Sequence, residues 1–307
     1  MKNLKTRLGQ VEFRNPVLGA SGCTGYGYEL KEYTNLSRYG AVTLKTVTYT
    51  PRSGNPPERV AEVPAGIISS IGLQNPGPDF FMDDTMPKVL EALDRDQIIV
   101  SVAGDTIEEY VELCCRISQR YGDQIAALEL NAACPNVKFG VGYFSRDPQA
   151  AFDLIKAVKS AVSLPIFYKF NTNFENYLEV ASAIDEAGID ALYTSNTPLG
   201  LKIDVKTRRP AIGNVVGPIC GPAIRPIGVL RVWNLYQAVK MPIIASGGVY
   251  TWEDVLEYML AGATAVGVGS AQFVQPDVIE RIVEGLELYM EKESLDSLTS
   301  LVGAAHR

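Results

Sequence analysis

Eight short β-rich apolar runs alternate with helical stretches along this chain of 307 residues. That alternation constrains the fold more than any single motif. The runs are Pro16–Ala20, Ala41–Thr46, Ile98–Ala103, Ala126–Asn131, Ile166–Phe170, Ala191–Ser195, Ile243–Ser246 and Ala265–Gly269. Between them lie helical patterns at Ile107–Tyr121, Ala150–Val162, Phe174–Ala187, Ile227–Val239, Trp252–Ala261 and Val278–Lys292. In the second of these, Phe152, Ile155, Val158 and Val162 share one side, as a helix packed on a sheet requires. Strand–helix alternation repeated in this way predicts an α/β fold, a (β/α)8 TIM barrel. The competing arrangement is a doubly wound open sheet. Polar clusters follow nearly every run rather than one switch point, which favours the barrel. Leu4–Leu8 and Val11–Phe13 flank Gly9-Gln10 and are expected to form a small N-terminal hairpin closing the barrel's bottom. Two long connections rich in Pro and Gly, Tyr49–Asp96 and Pro198–Arg225, read as loop insertions at the barrel top. No linker divides the chain, so residues 1–307 are expected to form a single domain.

Composition narrows the function. The chain is 47% hydrophobic and 21% charged, enough to build a large core. No apolar run is long enough to span a bilayer, and Met1-Lys2-Asn3-Leu4-Lys5 leads into no apolar signal core, so a cytoplasmic location is expected. A net charge of −7 with no Lys/Arg stripe points away from nucleic acid. The five cysteines, Cys23, Cys114, Cys115, Cys134 and Cys220, are odd in number and contain no C-x-x-C pair. That pattern argues against a disulfide framework, a zinc site or an iron–sulfur cluster, so no metal is expected. The single histidine, His306, is expected to be solvated and idle. Histidine-based hydrolases are thereby set aside. Acid–base chemistry is left to Cys, Lys, Tyr, Ser or a carboxylate.

The strand ending in Leu130-Asn131-Ala132-Ala133-Cys134-Pro135-Asn136 places two asparagines and a cysteine where a barrel presents groups to its substrate. A thiol titrates near enough to neutrality to act as a proton acceptor or nucleophile, and the amides can pair with a polar heterocycle. Ser246-Gly247-Gly248-Val249 and Val268-Gly269-Ser270-Ala271 follow the last two runs. One glycine pair alone is explained as well by a plain turn. Two pairs at these positions suggest a backbone phosphate site, with flavin mononucleotide (FMN) as the ligand. Lys45 and Lys169 each stand at the end of an apolar strand. They are either snorkelling surface lysines or cations placed beside an electron-rich ring, where a reduced flavin carries negative charge. Ala20-Ser21-Gly22 and Ser195-Asn196-Thr197 end the first and sixth runs with small polar groups, which a turn also explains. Cys114 and Cys115 read as packing residues; Cys23 and Cys220 carry no assignment.

Taken together, the motifs resemble those of the class 1 dihydroorotate dehydrogenases, and within them the catalytic FMN subunit of class 1B. The resemblance runs nearly end to end. It rests on Asn15-Pro16 with Ala20-Ser21-Gly22, on Leu44-Lys45-Thr46-Val47-Thr48, and on Pro51-Arg52-Ser53-Gly54-Asn55-Pro56-Pro57. Ile71-Gly72-Leu73-Gln74-Asn75-Pro76-Gly77 and the stretch through Cys134 continue it. Thr207-Arg208-Arg209-Pro210, Gly221-Pro222-Ala223-Ile224-Arg225-Pro226 and the two glycine motifs complete it.

The resemblance implies FMN at the barrel top and Cys134 as the catalytic base. It implies FMN contacts from Ser21, Lys45, Thr46, Ser101, Asn131, Lys169, Ser195, Gly221, Gly247, Gly248, Gly269 and Ser270. Substrate contacts are implied for Lys45, Ser69, Ile71, Gly72, Leu73, Asn131, Asn136, Asn196 and Thr197. The chain departs from the family pattern at three places. Ser69 and Ser101 stand where the family has asparagine, and Lys169-Phe170-Asn171-Thr172-Asn173 lacks the proline usual on the fifth strand.

The expected activity is oxidation of dihydroorotate to orotate in pyrimidine biosynthesis. Cys134 would remove a proton from one ring carbon while the neighbouring carbon passes a hydride to the flavin. A separate FAD and iron–sulfur electron-transfer subunit is implied, in a homodimer or heterotetramer, with neither nucleic acid nor membrane as partner. Two other readings stay open. The chain could be a flavin dehydrogenase of another dihydropyrimidine or cyclic amide, which Ser69, Ser101 and the altered fifth-strand motif favour. It could also be a non-catalytic flavin-binding subunit, which has no use for Cys134, Asn131, Asn136 and Lys45.

Overall fold

A computed structural model describes residues 3–133, 142–195 and 197–306. Its centre is a closed barrel of parallel strands: Val17–Gly19, Ala41–Thr43, Ile98–Ala103, Ala127–Asn131, Ile166–Asn171, Ala191–Ser195, Ile243–Ser246 and Ala265–Val268. Each pairs with the next, and the last returns to the first through Val266, Gly267 and Val268 against Val17, Leu18 and Gly19. All eight lie where the apolar runs predict them. The second stops at Thr43, because the chain then turns so that the Lys45 amide donates to the Gly25 carbonyl at 2.8 Å.

Alternation along each strand sorts its side chains to two sides. Outward residues such as Val42, Val100, Leu128, Tyr168, Leu192 and Val266 are buried beneath the surrounding helices. Ile107–Tyr121, Trp252–Ala261 and Val278–Lys292 are helices with the bounds expected from sequence; Pro148–Ala161, Tyr177–Ala187 and Arg225–Ala238 differ by a turn or less. Local caps fix several starts. Thr106 accepts the Glu109 amide, Asp147 accepts that of Ala150, and Thr251 with Asp254 forms a capping box.

Inward residues stack in layers. Leu18, Ala41, Ile99, Ala127, Phe167, Ala191, Ile244 and Ala265, one from each strand, form a buried apolar layer at the barrel's lower end. Thr6–Leu8 and Val11–Phe13 pair as an antiparallel hairpin and push Leu8 and Phe13 into it. The Phe13 and Phe167 rings meet with centroids 6.2 Å apart. Removing either ring would leave a cavity in a closed layer, a cost of about 3–5 kcal/mol. Two residues further along the same strands the layer turns polar, with Thr43, Ser101, Glu129, Lys169, Tyr193 and Gly267. The barrel is therefore sealed below and chemically equipped above.

The two long connections are more ordered than loops. Val60–Val63 and Gly66–Ser69 form a hairpin, Gly217–Cys220 pairs antiparallel to Gly66–Ser69, and Leu199–Gly200 joins the far side. This four-stranded sheet roofs the upper mouth. The first connection also contains a helix, Met86–Ala92. His306, expected to be solvated, instead stacks on Trp233 with ring centroids 3.6 Å apart, and its Nε2 lies 3.0 Å from the Ala261 carbonyl oxygen. A flat, half-apolar ring gains more from that packing than from water.

Candidate active site

A cavity of about 230 Å³ opens between the barrel's upper end and the roof sheet. Three groups of residues wall it. Ser246, Gly247, Gly248, Gly267, Gly269 and Ser270 come from the ends of the last two strands. Ser21, Cys23, Lys45 and Lys169 come from the first, second and fifth strands or the turns after them, and Ser69, Ile71, Thr197, Cys220 and Gly221 from the roof and its flanks.

The glycine wall has the shape of an anion cradle. Gly247 and Gly248 have φ of 118° and 72°, a backbone region that other residues avoid. A Cβ on Gly248 would lie 2.8 Å from the Gly221 carbonyl oxygen and 2.9 Å from the Arg225 backbone nitrogen. The turn is braced from behind. Tyr258 Oη donates to the Gly247 carbonyl at 2.8 Å. Arg225 is held to Asp254 at 2.5 Å and to Glu257 at 2.8 Å. Among the described residues, the amides of Gly247, Gly248, Gly269 and Ser270 donate to no other group. Four unused amides, two of them on a glycine turn that disfavours a side chain, fit a phosphate.

Lys169 projects inward from the fifth strand, with its Nζ 5.0 Å from the centroid of the Tyr193 ring. Strand register sets Lys169 level with Asn131. Cys23 and Cys220 sit in the same wall. Burial pushes the Cys23 thiol up to about 12, and Cys220 raises it further while Lys169 and Lys45 oppose. Burial also raises Cys220, with Lys169 opposing. Both therefore stay protonated at neutral pH and are unsuited to act as a base. Cys23, Cys220 and Pro218 line the cavity although the sequence assigns them no role, and Ser246 and Ile224, which stand in motifs without a contact of their own, line it too. Small or apolar residues at strand ends and in the roof carry no signal of that role.

Of the residues singled out from sequence, Ser21, Lys45, Ser69, Ile71, Lys169, Thr197, Gly221, Gly247, Gly248, Gly269 and Ser270 are brought together on the cavity wall. Thr46, Ser101 and Asn131 lie one layer deeper. The Asn131 amide donates to Thr46 Oγ1 at 2.9 Å, which lies 2.9 Å from Ser101 Oγ. Gly72 and Leu73 follow Ile71 off the wall, Leu73 packing against the core. Asn75 holds that loop: its Nδ2 donates to Thr48 Oγ1 at 2.6 Å and to the Leu73 carbonyl at 2.8 Å. The backbone of Ser195 ends the sixth strand opposite Asn171. Cys134, Asn136 and Asn196 lie outside the described residues. What is described is the end of the strand before Cys134, where the Ala132 amide donates to the Lys169 carbonyl at 2.9 Å.

Among the described residues, no three or more His, Cys, Asp or Glu side chains are grouped to hold a metal ion, and no helix is long and apolar enough to cross a membrane.

The family model for dihydroorotate dehydrogenase matches residues 3–290. A relative from Desulforamulus reducens, named dihydroorotate dehydrogenase B (NAD(+)), catalytic subunit, is 43% identical over 304 residues, covering 99% of this chain and 99% of its own. Relatives of the same name from Desulforudis audaxviator and Enterococcus faecalis are 44% and 42% identical, over 97% and 98% of this chain and 95% and 96% of their own. With a family model over nearly its whole length and full-length relatives above 40% identity, the chain belongs to the dihydroorotate dehydrogenase family.

Proposed function

We propose that this chain is an FMN-dependent dehydrogenase that oxidises dihydroorotate to orotate in pyrimidine biosynthesis. The observation that carries the reading is one cavity with the glycine cradle along one wall and Lys45 and Lys169 among its other lining residues. When bound, FMN supplies a two-electron acceptor. The chain's own residues do the rest. Gly247, Gly248, Gly269 and Ser270 hold the phosphate through backbone amides. Lys169 and Lys45, which line the cavity, would place positive charge near a flavin ring bound there and so favour electron transfer into the cavity. Ser69, Ile71 and Thr197, on the roof side, bound the space left for a small planar substrate.

The reaction requires loss of a proton from one ring carbon and of a hydride from its neighbour, so that a C=C bond forms between them. Cys134 is assigned the proton on the strength of its place in the family motif. The thiolate accepts it and becomes a thiol, which returns it to solvent after turnover. Cys23 and Cys220, the two described cysteines on the wall, are held protonated and do not compete for the role.

The relatives' names describe a catalytic subunit and NAD(+), and this supports a partner that passes electrons onward. We assign that role to a separate FAD and iron–sulfur subunit, in a homodimeric or heterotetrameric assembly. The roof segment supports an interface there. Leu199, Leu201, Ile203 and Val205 are exposed, Val205 at 84%, and exposed apolar groups gathered on one segment mark an interaction surface. Purified protein should carry FMN and reduce it with dihydroorotate. Protein that folds without binding FMN would overturn this function.

A further inference from the structure

The barrel interior holds one carboxyl that the proposed reaction does not use. Glu129 is completely buried in the polar layer between the apolar plug and the cavity. Its Oε1 accepts the Ser101 hydroxyl at 2.7 Å, and its Oε2 has no partner among the described residues. Ser101 Oγ lies 2.9 Å from Thr46 Oγ1, which in turn lies 3.4 Å from Ser21 Oγ. Ser21 is on the cavity wall. Ser21 Oγ donates to the Leu44 carbonyl at 2.8 Å, so its hydroxyl must swing from Leu44 to Thr46 to pass a proton; with that turn a row of three hydroxyls runs from the wall to the carboxyl.

A second link is electrostatic. Burial favours the neutral form of Glu129; the Lys169 charge and the Ser101 hydrogen bond favour the charged form. Lys169 also lines the cavity. Negative charge arriving there offsets Lys169 and removes part of its support for the charged carboxylate. The other groups facing Glu129 do not share the task. Burial, Glu129 and Cys23 hold the Tyr193 phenol well above its ordinary range, so it stays protonated. Ser101 only relays.

We propose that Glu129 is a positioning residue that stores one proton in step with the charge in the cavity, exchanging it along Ser101, Thr46 and Ser21. This rests on the flavin reading above. The electrons come from the substrate; the stored proton comes from hydronium or a buffer acid in the solvent reaching the cavity wall, and its conjugate base stays in bulk. Solvent acid gives a proton to Ser21, Ser21 to Thr46, Thr46 to Ser101 and Ser101 to Glu129. Each hydroxyl loses one hydrogen and gains one, so all three end neutral and turned. The same step reverses the row: Thr46, which can donate to Ser101 when Glu129 is charged, turns its hydroxyl toward Ser21 when Glu129 is neutral.

The test is potentiometry of the FMN-loaded protein over a range of pH for wild type, Glu129→Gln and Ser101→Ala, with FMN affinity by fluorescence quenching as the check on folding and loading. The wild-type plot of midpoint potential against pH should carry an inflection that Glu129→Gln loses. Ser101→Ala keeps the carboxyl but removes a bond that favours its charged form, so the inflection should move to higher pH. An inflection that persists in Glu129→Gln overturns the proposal while leaving the flavin reading intact. Should Glu129→Gln fail to load, an unmoved inflection in Ser101→Ala overturns it equally. Wild-type protein that takes up no FMN overturns both.

Discussion

The Gly221 carbonyl oxygen would lie 2.8 Å from any Cβ placed on Gly248. The segment at Gly221, between the roof strand Gly217–Cys220 and Arg225, and the turn after the seventh strand therefore touch backbone to backbone, and the cradle depends on that contact. Gly248→Ala should weaken FMN binding at least tenfold, because the turn must move and the residue sits at φ 72°. It should also cost about 1–3 kcal/mol of stability, the range for a strained backbone position. Flavin content after purification and a fluorescence titration with FMN check this. Full occupancy at wild-type affinity would remove the turn from the phosphate site.

Cys134→Ala should bind FMN normally and lose about 10²–10⁴ in turnover, the usual cost of removing a general base. Cys134→Ser should retain a little activity at high pH, because a hydroxyl is the poorer base. Steady-state rates across pH decide it. Near-wild-type turnover of Cys134→Ala at neutral pH would take Cys134 out of the mechanism.

Ser69 lines the cavity where the family pattern has asparagine. If dihydroorotate is the substrate, Ser69→Asn adds up to one hydrogen bond, about 0.5–1.5 kcal/mol net, and lowers KM several-fold or leaves it unchanged. A different natural ring would be crowded by the amide. Kinetics of both proteins on dihydroorotate and dihydrouracil separate the cases. A wild type that prefers dihydrouracil, with dihydroorotate turnover improving only in the variant, would sink the substrate assignment and leave the barrel and the flavin site standing.

Glu129 also gives stability a pH dependence with a definite sign. Its folded value is raised above the ordinary 4.5, with burial as the largest cause. The native state therefore binds the proton more tightly than the unfolded chain. The associated stability is fully present below the unfolded value and is lost as pH rises through the raised folded one. Denaturant unfolding of flavin-free protein at successive pH values should show wild type losing stability relative to Glu129→Gln over that interval. A constant difference would mean that Glu129 does not titrate with folding.

Much of this was legible in the chain. Runs such as Ile98–Ala103 and Ile243–Ser246 are buried on both faces, so their apolar character survives as a continuous signal. The cradle was legible because two glycine pairs follow consecutive strands. The roof sheet was not. Gly66–Ser69 pairs with Gly217–Cys220, and a contact between such distant segments leaves no local pattern in either. The depth of Thr46, Ser101 and Asn131 was hidden for a related reason. A family motif places a residue near a ligand, but the hydrogen bonds that turn it inward depend on Glu129, whose significance appears only when the strands close into a barrel.

The central claim is that this cavity passes electrons from dihydroorotate to FMN. Its most direct test is an anaerobic titration of the FMN-loaded protein with dihydroorotate, followed by flavin absorbance. Bleaching should be complete near stoichiometric substrate and reversed by orotate. An unchanged flavin spectrum under excess dihydroorotate, in protein that dithionite still bleaches, would contradict it.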